Sequence, residues 1–160
     1  MSKPDQRARR PIDRRRVPRG GRRSADRSGV HPPILIAESY DGVRQSCSKY
    51  LQRFHFDVRE AASGEEALAA IAAEPPQVIL TELHLPTMPA WRLMQWLSQG
   101  WRTRDIPVLV MSGDVDPTTD DAFRNAAAGV LIKPFSLAHM VQEIRRVLRT
   151  SPNAPSGDEK

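Results

Sequence analysis

The sequence has one cysteine, Cys47, so no intramolecular disulfide framework can form. Its place among the apolar positions of a helical pattern predicts a buried, inert thiol. No run of about 18 apolar residues occurs, which argues against a membrane-spanning helix. The basic N-terminus is followed by no apolar stretch, so it lacks the form of a secretory signal. His31, His55, His84 and His139 sit on different predicted elements, with no ligand-spaced pair and no cysteine beside them, and so make no metal site. These absences leave a soluble, cytoplasmic chain as the expectation.

Acidic residues are scarce in the first 30 positions, which hold ten Arg and one Lys against three Asp. The whole chain is only +5, so the remainder is net acidic. Ile12, Val17 and Val30 are the only branched aliphatics in that stretch. It cannot bury enough apolar surface to offset its ordering entropy, and residues 1–30 are predicted to be disordered. Residues 151–160, SPNAPSGDEK, read as a second disordered tail. Residues 31–150 form the domain between them.

Within that domain short apolar runs alternate with helical patterns. Ile34–Ala37, Asp57–Ala61, Val78–Leu83, Pro107–Ser112 and Val130–Ile132 read as strands. Asp41 is placed to cap a helix carrying Val43, Cys47, Tyr50, Leu51 and Phe54 on one side. Ser63 and Glu66 form a capping box before an Ala-rich helix that stops ahead of Pro75-Pro76. A third helix runs from Pro89 to about Gln99 with Gly100 as its C-cap. Asp116-Pro117 opens a fourth that ends near Ala128-Gly129. Ser136 caps the last, which aligns Leu137, Met140, Val141, Ile144, Val147 and Leu148. Strands that are apolar throughout belong in a parallel sheet covered on both faces, which makes the fold a doubly wound (βα)5 α/β domain. Its site should lie at the carboxyl ends of the strands, where Glu38, Ser39, Glu82, Ser112, Gly113 and Lys133 fall.

The segments ILIAES, VILTELHLPTM, RTRDIPVLVMSG and LIKPF, in this order and spacing, resemble the receiver domain of bacterial response regulators (CheY-like). The resemblance covers about 117 residues, Ile34 to Thr150, with Pro86 four places after Glu82, the Ile106-Pro107 strand start and Lys133-Pro134-Phe135 all in position. It implies the flavodoxin-like strand order of a five-stranded sheet, and phosphoryl transfer from a histidine kinase to a strand-end aspartate. It places Glu38 and Ser39 at the acidic, Mg²⁺-binding pair and Glu82 at the phosphoacceptor. Ser112 takes the hydroxyl that contacts the phosphoryl group, and Lys133 the lysine, aimed inward by a cis bond to Pro134.

Three departures follow from that comparison. Glu82 is one methylene longer than Asp, which carries its oxygens about 1.5 Å further into the pocket. In-line attack tolerates such misplacement poorly. Ser39 removes a charge from the metal site, leaving Mg²⁺ at best weakly held. Val130 stands at the aromatic switch position and is too small to swing. The expectation is a stand-alone, non-enzymatic receiver, an adaptor with weak or absent aspartyl phosphorylation. Glu82 either pairs with Lys133 to hold an active-like arrangement or is a relic of the pocket. The partner would be a histidine kinase, a downstream signalling protein or a second copy, docked on the fifth strand and the helices either side of it. Of the tryptophans, Trp91 or Trp96 is expected in the core and Trp101 in a loop.

The first 30 residues contain a repeat, RRPIDR at 9–14 and RRSADR at 22–27. One reading is a solvated polycation that contacts any polyanion, nucleic acid included. The RxxD core also resembles a motif of proteins that bind cyclic di-GMP, which would assign Arg10, Asp13, Arg23 and Asp26 to the guanine edges. A true start further downstream, near Val30, is the third reading.

Overall fold

The computed structural model describes residues 31–113 and 125–152. Nine elements occur among them: β1 (His31–Ala37), α1 (Asp41–Gln52), β2 (Phe56–Ala61), α2 (Gly64–Ala73), β3 (Val78–Glu82), α3 (Ala90–Gln99), β4 (Val108–Ser112), β5 (Gly129–Ile132) and α4 (Leu137–Thr150). All five strands run parallel in the order β2-β1-β3-β4-β5. The chain therefore reverses its direction of winding between β1 and β3, and the crevice at their carboxyl ends is where such sheets bind or react. The helix expected from Asp116 lies outside the described residues, apart from a last turn at Asn125 and Ala126.

The apolar strands separate two cores. Leu35, Ala37, Ile79, Val108 and Val110 face α2 and α3, packing on Ala67, Ile71, Leu93 and Leu97. Ile34, Ile36, Leu80, Leu109 and Met111 face α1 and α4, against Cys47, Leu51, Met140, Ile144 and Val147. Each central strand thus feeds alternate side chains to opposite layers, as a sheet covered on both sides requires.

The helix ends follow local chemistry with one correction. Ser63 accepts from the Glu66 amide at 3.2 Å and Ser136 from the His139 amide at 3.0 Å, as capping requires. Glu66 reaches back to the amide of Ala62 (2.8 Å), closing the box one residue further out. Asp41 does not cap α1. It is the first helical residue, Tyr40 occupies the cap without a side-chain bond, and Asp41 instead pairs with Arg44 one turn on. Gly100 caps α3 with φ −97°, outside the left-handed region. What requires glycine there is the hydroxyl of Thr103, which donates to Leu97 O (2.8 Å) across the space a Cβ would fill. β1 is three residues longer than expected, its register shifting between His31 and Ile34, where the Pro32-Pro33 pair lies.

Gly64 serves the site directly. A Cβ there would collide with the side chain of Met88, whose Cα would lie at 3.3 Å, in the loop that follows Glu82. Gly64→Ala should therefore lower stability by about 1–3 kcal/mol, the usual range for overpacking, read as the shift in urea midpoint at constant slope.

Candidate functional site

Four strand ends converge on the crevice. Glu38 follows β1, and its amide is held by Ala61 O at 3.0 Å. Glu82 ends β3 opposite Met111, and the next amide, Leu83 N, donates to Met111 O (2.8 Å). Ser112 ends β4, buried, and its carbonyl accepts from Lys133 N at 2.7 Å. Lys133 follows β5 and precedes a cis bond to Pro134. The backbone ladder thus sets the side chains of Glu38, Glu82 and Lys133 around one crevice with Ser112 beside them.

The Glu38 carboxylate is fully buried, at 0% exposure, and both its oxygens are engaged. Oε2 lies 2.7 Å from Lys133 Nζ, and Oε1 accepts from the Tyr40 amide at 3.0 Å. An ionised carboxylate at such a position is costly unless charge and hydrogen bonds are both supplied, and here both are. Lys133 is 26% exposed, so its ammonium keeps part of its hydration. Glu82 is half-buried, and its Oε2 accepts from the Ser39 hydroxyl (2.7 Å) and the Ser39 amide (3.2 Å).

The expected pairing of Glu82 with Lys133 is therefore not the one formed. The ammonium takes Glu38, which would otherwise be an uncompensated buried charge, and Glu82 turns to the hydroxyl and amide of Ser39. Val130 is half-buried and packs with Ala127 against the α2/α3 core. Arg10, Asp13, Arg23 and Asp26 lie outside the described residues. Trp91, Trp96 and Trp101 are all exposed, so neither helical tryptophan enters the core. The buried stripe of α3 is Ala90, Leu93, Met94 and Leu97, and the two indoles flank it on opposite sides.

Two residues around the crevice, Arg44 and Thr87, have no obvious signal in the sequence, while Cys47 is buried as expected. Arg44 donates to Glu38 O (2.8 Å) while its guanidinium is held by Asp41 and Glu60 (3.3 Å), bracing the chain that carries Glu38 and Ser39. Thr87, with φ 65°, donates to Glu65 Oε2 at 2.6 Å and ties the β3–α3 loop to α2. That bond holds the Glu65 carboxyl below the usual carboxylate range. Cys47 is buried on the α1 side of the crevice. Burial pushes its thiol up to about 11, the Glu38 carboxylate adds to the rise and Lys133 opposes it.

The arrangement does not suit Mg²⁺. That ion needs near-octahedral oxygen ligation with one or two free carboxylates. Here Glu38 is committed to an ammonium and an amide, and Glu82 to Ser39. Among the described residues no cluster of three or more His, Cys, Asp or Glu could hold a metal ion, and no helix is long and apolar enough to cross a membrane.

The family model of the response regulator receiver domain matches residues 34–145. The chain belongs to that family. Its curated relatives include the "DNA-binding dual master transcriptional regulator RpaA" of Synechocystis, 29% identical over 126 residues, covering 78% of this chain and 52% of the relative. The "Transcriptional regulatory protein SrrA" of Staphylococcus aureus is 28% identical over 117 residues, 72% of this chain and 47% of the relative. This receiver spans about half the length of the curated relatives it matches. Among solved structures it resembles the chemotaxis response regulator CheY4 of Vibrio cholerae, with TM-score 0.67 and 25% identity over 72% of this chain and 97% of that one. A putative response regulator from Chloroflexus aurantiacus gives TM-score 0.68 and 28% identity over 74% and 98%. The fold and the family expected from the sequence both hold.

Two outcomes test the geometry. Ser39→Ala removes the 2.7 Å hydroxyl bond to Glu82 and should cost about 1 kcal/mol of unfolding free energy. For Cys47, the free thiol of the unfolded chain ionises at a lower pH than the folded one. Its contribution to stability is thus intact below the ordinary thiol value of about 8.5 and is lost as pH climbs toward 11. Iodoacetamide labelling at pH 8 should be slower in the folded receiver than in urea by roughly 100-fold or more, and Cys47→Ala should flatten the alkaline fall in stability.

Proposed function

We propose that this receiver is a docking adaptor of two-component signalling that works without aspartyl phosphorylation. In this reading Glu82 stands at the phosphoacceptor position, Glu38 and Ser39 at the acidic pair, Ser112 and Lys133 at the phosphoryl contacts and Val130 at the switch. The observation that carries it is the assignment of bonds in the crevice. Lys133, the cation that would meet an incoming phosphoryl oxygen, is taken by Glu38, and Ser39 is taken by Glu82. A phosphoryl group arriving there competes with the Glu38 carboxylate for its cation, and stabilisation of its developing charge is what such transfers depend on. The protein then has no catalytic step of its own.

The partner surface in this proposal is the β5 side of the sheet. β5 is an edge strand of four residues with Ile132 exposed, flanked by α4. A kinase, a downstream signalling protein or a second receiver would cover that edge. The relatives named as DNA-binding and transcriptional regulators use receivers within longer chains, which fits a receiver that transmits by contact.

Treatment with acetyl phosphate and Mg²⁺, followed by intact mass, tests the proposal. No adduct of about 80 Da should form on the native chain, whereas the Ser39→Asp/Glu82→Asp variant should gain one. A stable adduct mapped to Glu82 in the native chain would sink it.

A further inference from the structure

We propose that the carboxyl-terminal end of α3 and the turn after it bind single-stranded nucleic acid, with Trp96 and Trp101 as stacking platforms. This inference is independent of the pocket. Trp91, Trp96 and Trp101 are 55%, 40% and 81% exposed, and they are the only tryptophans of the chain. Indole rings in water need a reason, and their surroundings supply one. Arg92 lies four residues before Trp96 and so shares its side of the helix. The Arg102 guanidinium stands 5.9 Å from the centre of the Trp101 ring. Arg104 is exposed nearby, and the one acid between residues 90 and 105, Asp105, lies 3.7 Å from it.

The neighbours decide between partner chemistries. The exposed side chains beside the indoles are Gln95, Ser98 and Gln99, with no aliphatic among them. A protein hot spot would instead seat its aromatic in an apolar surround. Rings interleaved with arginines match a strand that offers π-faces and phosphates together, which a protein surface does not. Trp91 flanks the other side of the buried stripe and belongs to the platform only if the strand wraps the helix.

Topology adds a second observation. All strands are parallel, so α3, which connects β3 to β4, runs against them. Its last turn and Trp101 therefore lie at the amino ends of the strands, the end at which His31 opens β1. Arg102 and Arg104 bring charge for a phosphate backbone to that end, beside the rings that stack on bases.

Because the chain's tryptophans all lie in this stretch, their emission reports on it alone. The full chain is titrated with an oligothymidylate of about 20 nucleotides at low salt, following tryptophan quenching and, separately, the anisotropy of a dye-labelled strand. Quenching is expected, with affinity falling as salt rises. Trp96→Ala and Trp101→Ala should each weaken binding about 10-fold at an unchanged urea midpoint, and Arg102→Glu should weaken it as well. Inorganic polyphosphate should compete for the strand without quenching. The proposal is overturned if the oligonucleotide does not quench, if both tryptophan variants bind as the native chain does, or if polyphosphate quenches equally.

Discussion

A single buried ion pair organises the end of this sheet. Glu38 and Lys133 are 95 residues apart in sequence and meet at 2.7 Å, with the carboxylate wholly out of water. Burying that charge is expensive, and the Lys133 ammonium with the Tyr40 amide compensates it. Lys133 turns its ammonium to Glu38, and the second carboxylate finds its donors on Ser39. The order of need follows from burial: the carboxylate with no access to solvent takes the cation, and the half-exposed one takes neutral donors.

The rest of the fold serves that allocation. The parallel ladder delivers four strand ends to one crevice, and the Ser112–Lys133 backbone bond fixes the lysine's departure from β5. Arg44, anchored by Asp41 and Glu60, braces the carbonyl of Glu38. Gly64 and the Thr87–Glu65 bond hold the loop after Glu82 against α2. The result is a pocket whose polar groups satisfy one another, which explains why a receiver with Glu82 and Ser39 keeps the architecture of its family.

The fold was legible because its strongest signals are local. Runs such as Val78–Leu80 are apolar at every position, and Ser63 and Ser136 announce helix starts. Errors arose where a local rule met a three-dimensional competitor. Asp41 has the chemistry of a cap, yet Arg44 claims it. The residues of the crevice could be named from their places after each strand, but not their partners. Which carboxylate takes Lys133 depends on relative burial, a property of the assembled layers. The tryptophans illustrate the same limit: indole hydrophobicity suggested a core place for Trp91 or Trp96, while the stripe of Ala90, Leu93, Met94 and Leu97 already filled it.

The commitment of Lys133 to Glu38 is the claim from which the others follow, and a double-mutant cycle measures it directly. Glu38→Gln, Lys133→Met and the double variant are compared by urea unfolding at neutral pH. A stabilising coupling of about 2 kcal/mol or more is predicted, because Lys133→Met strands the wholly buried Glu38 carboxylate, a cost absent once Glu38 is Gln. Additivity to within about 0.5 kcal/mol would contradict the account, since the lysine would then be free to serve another anion.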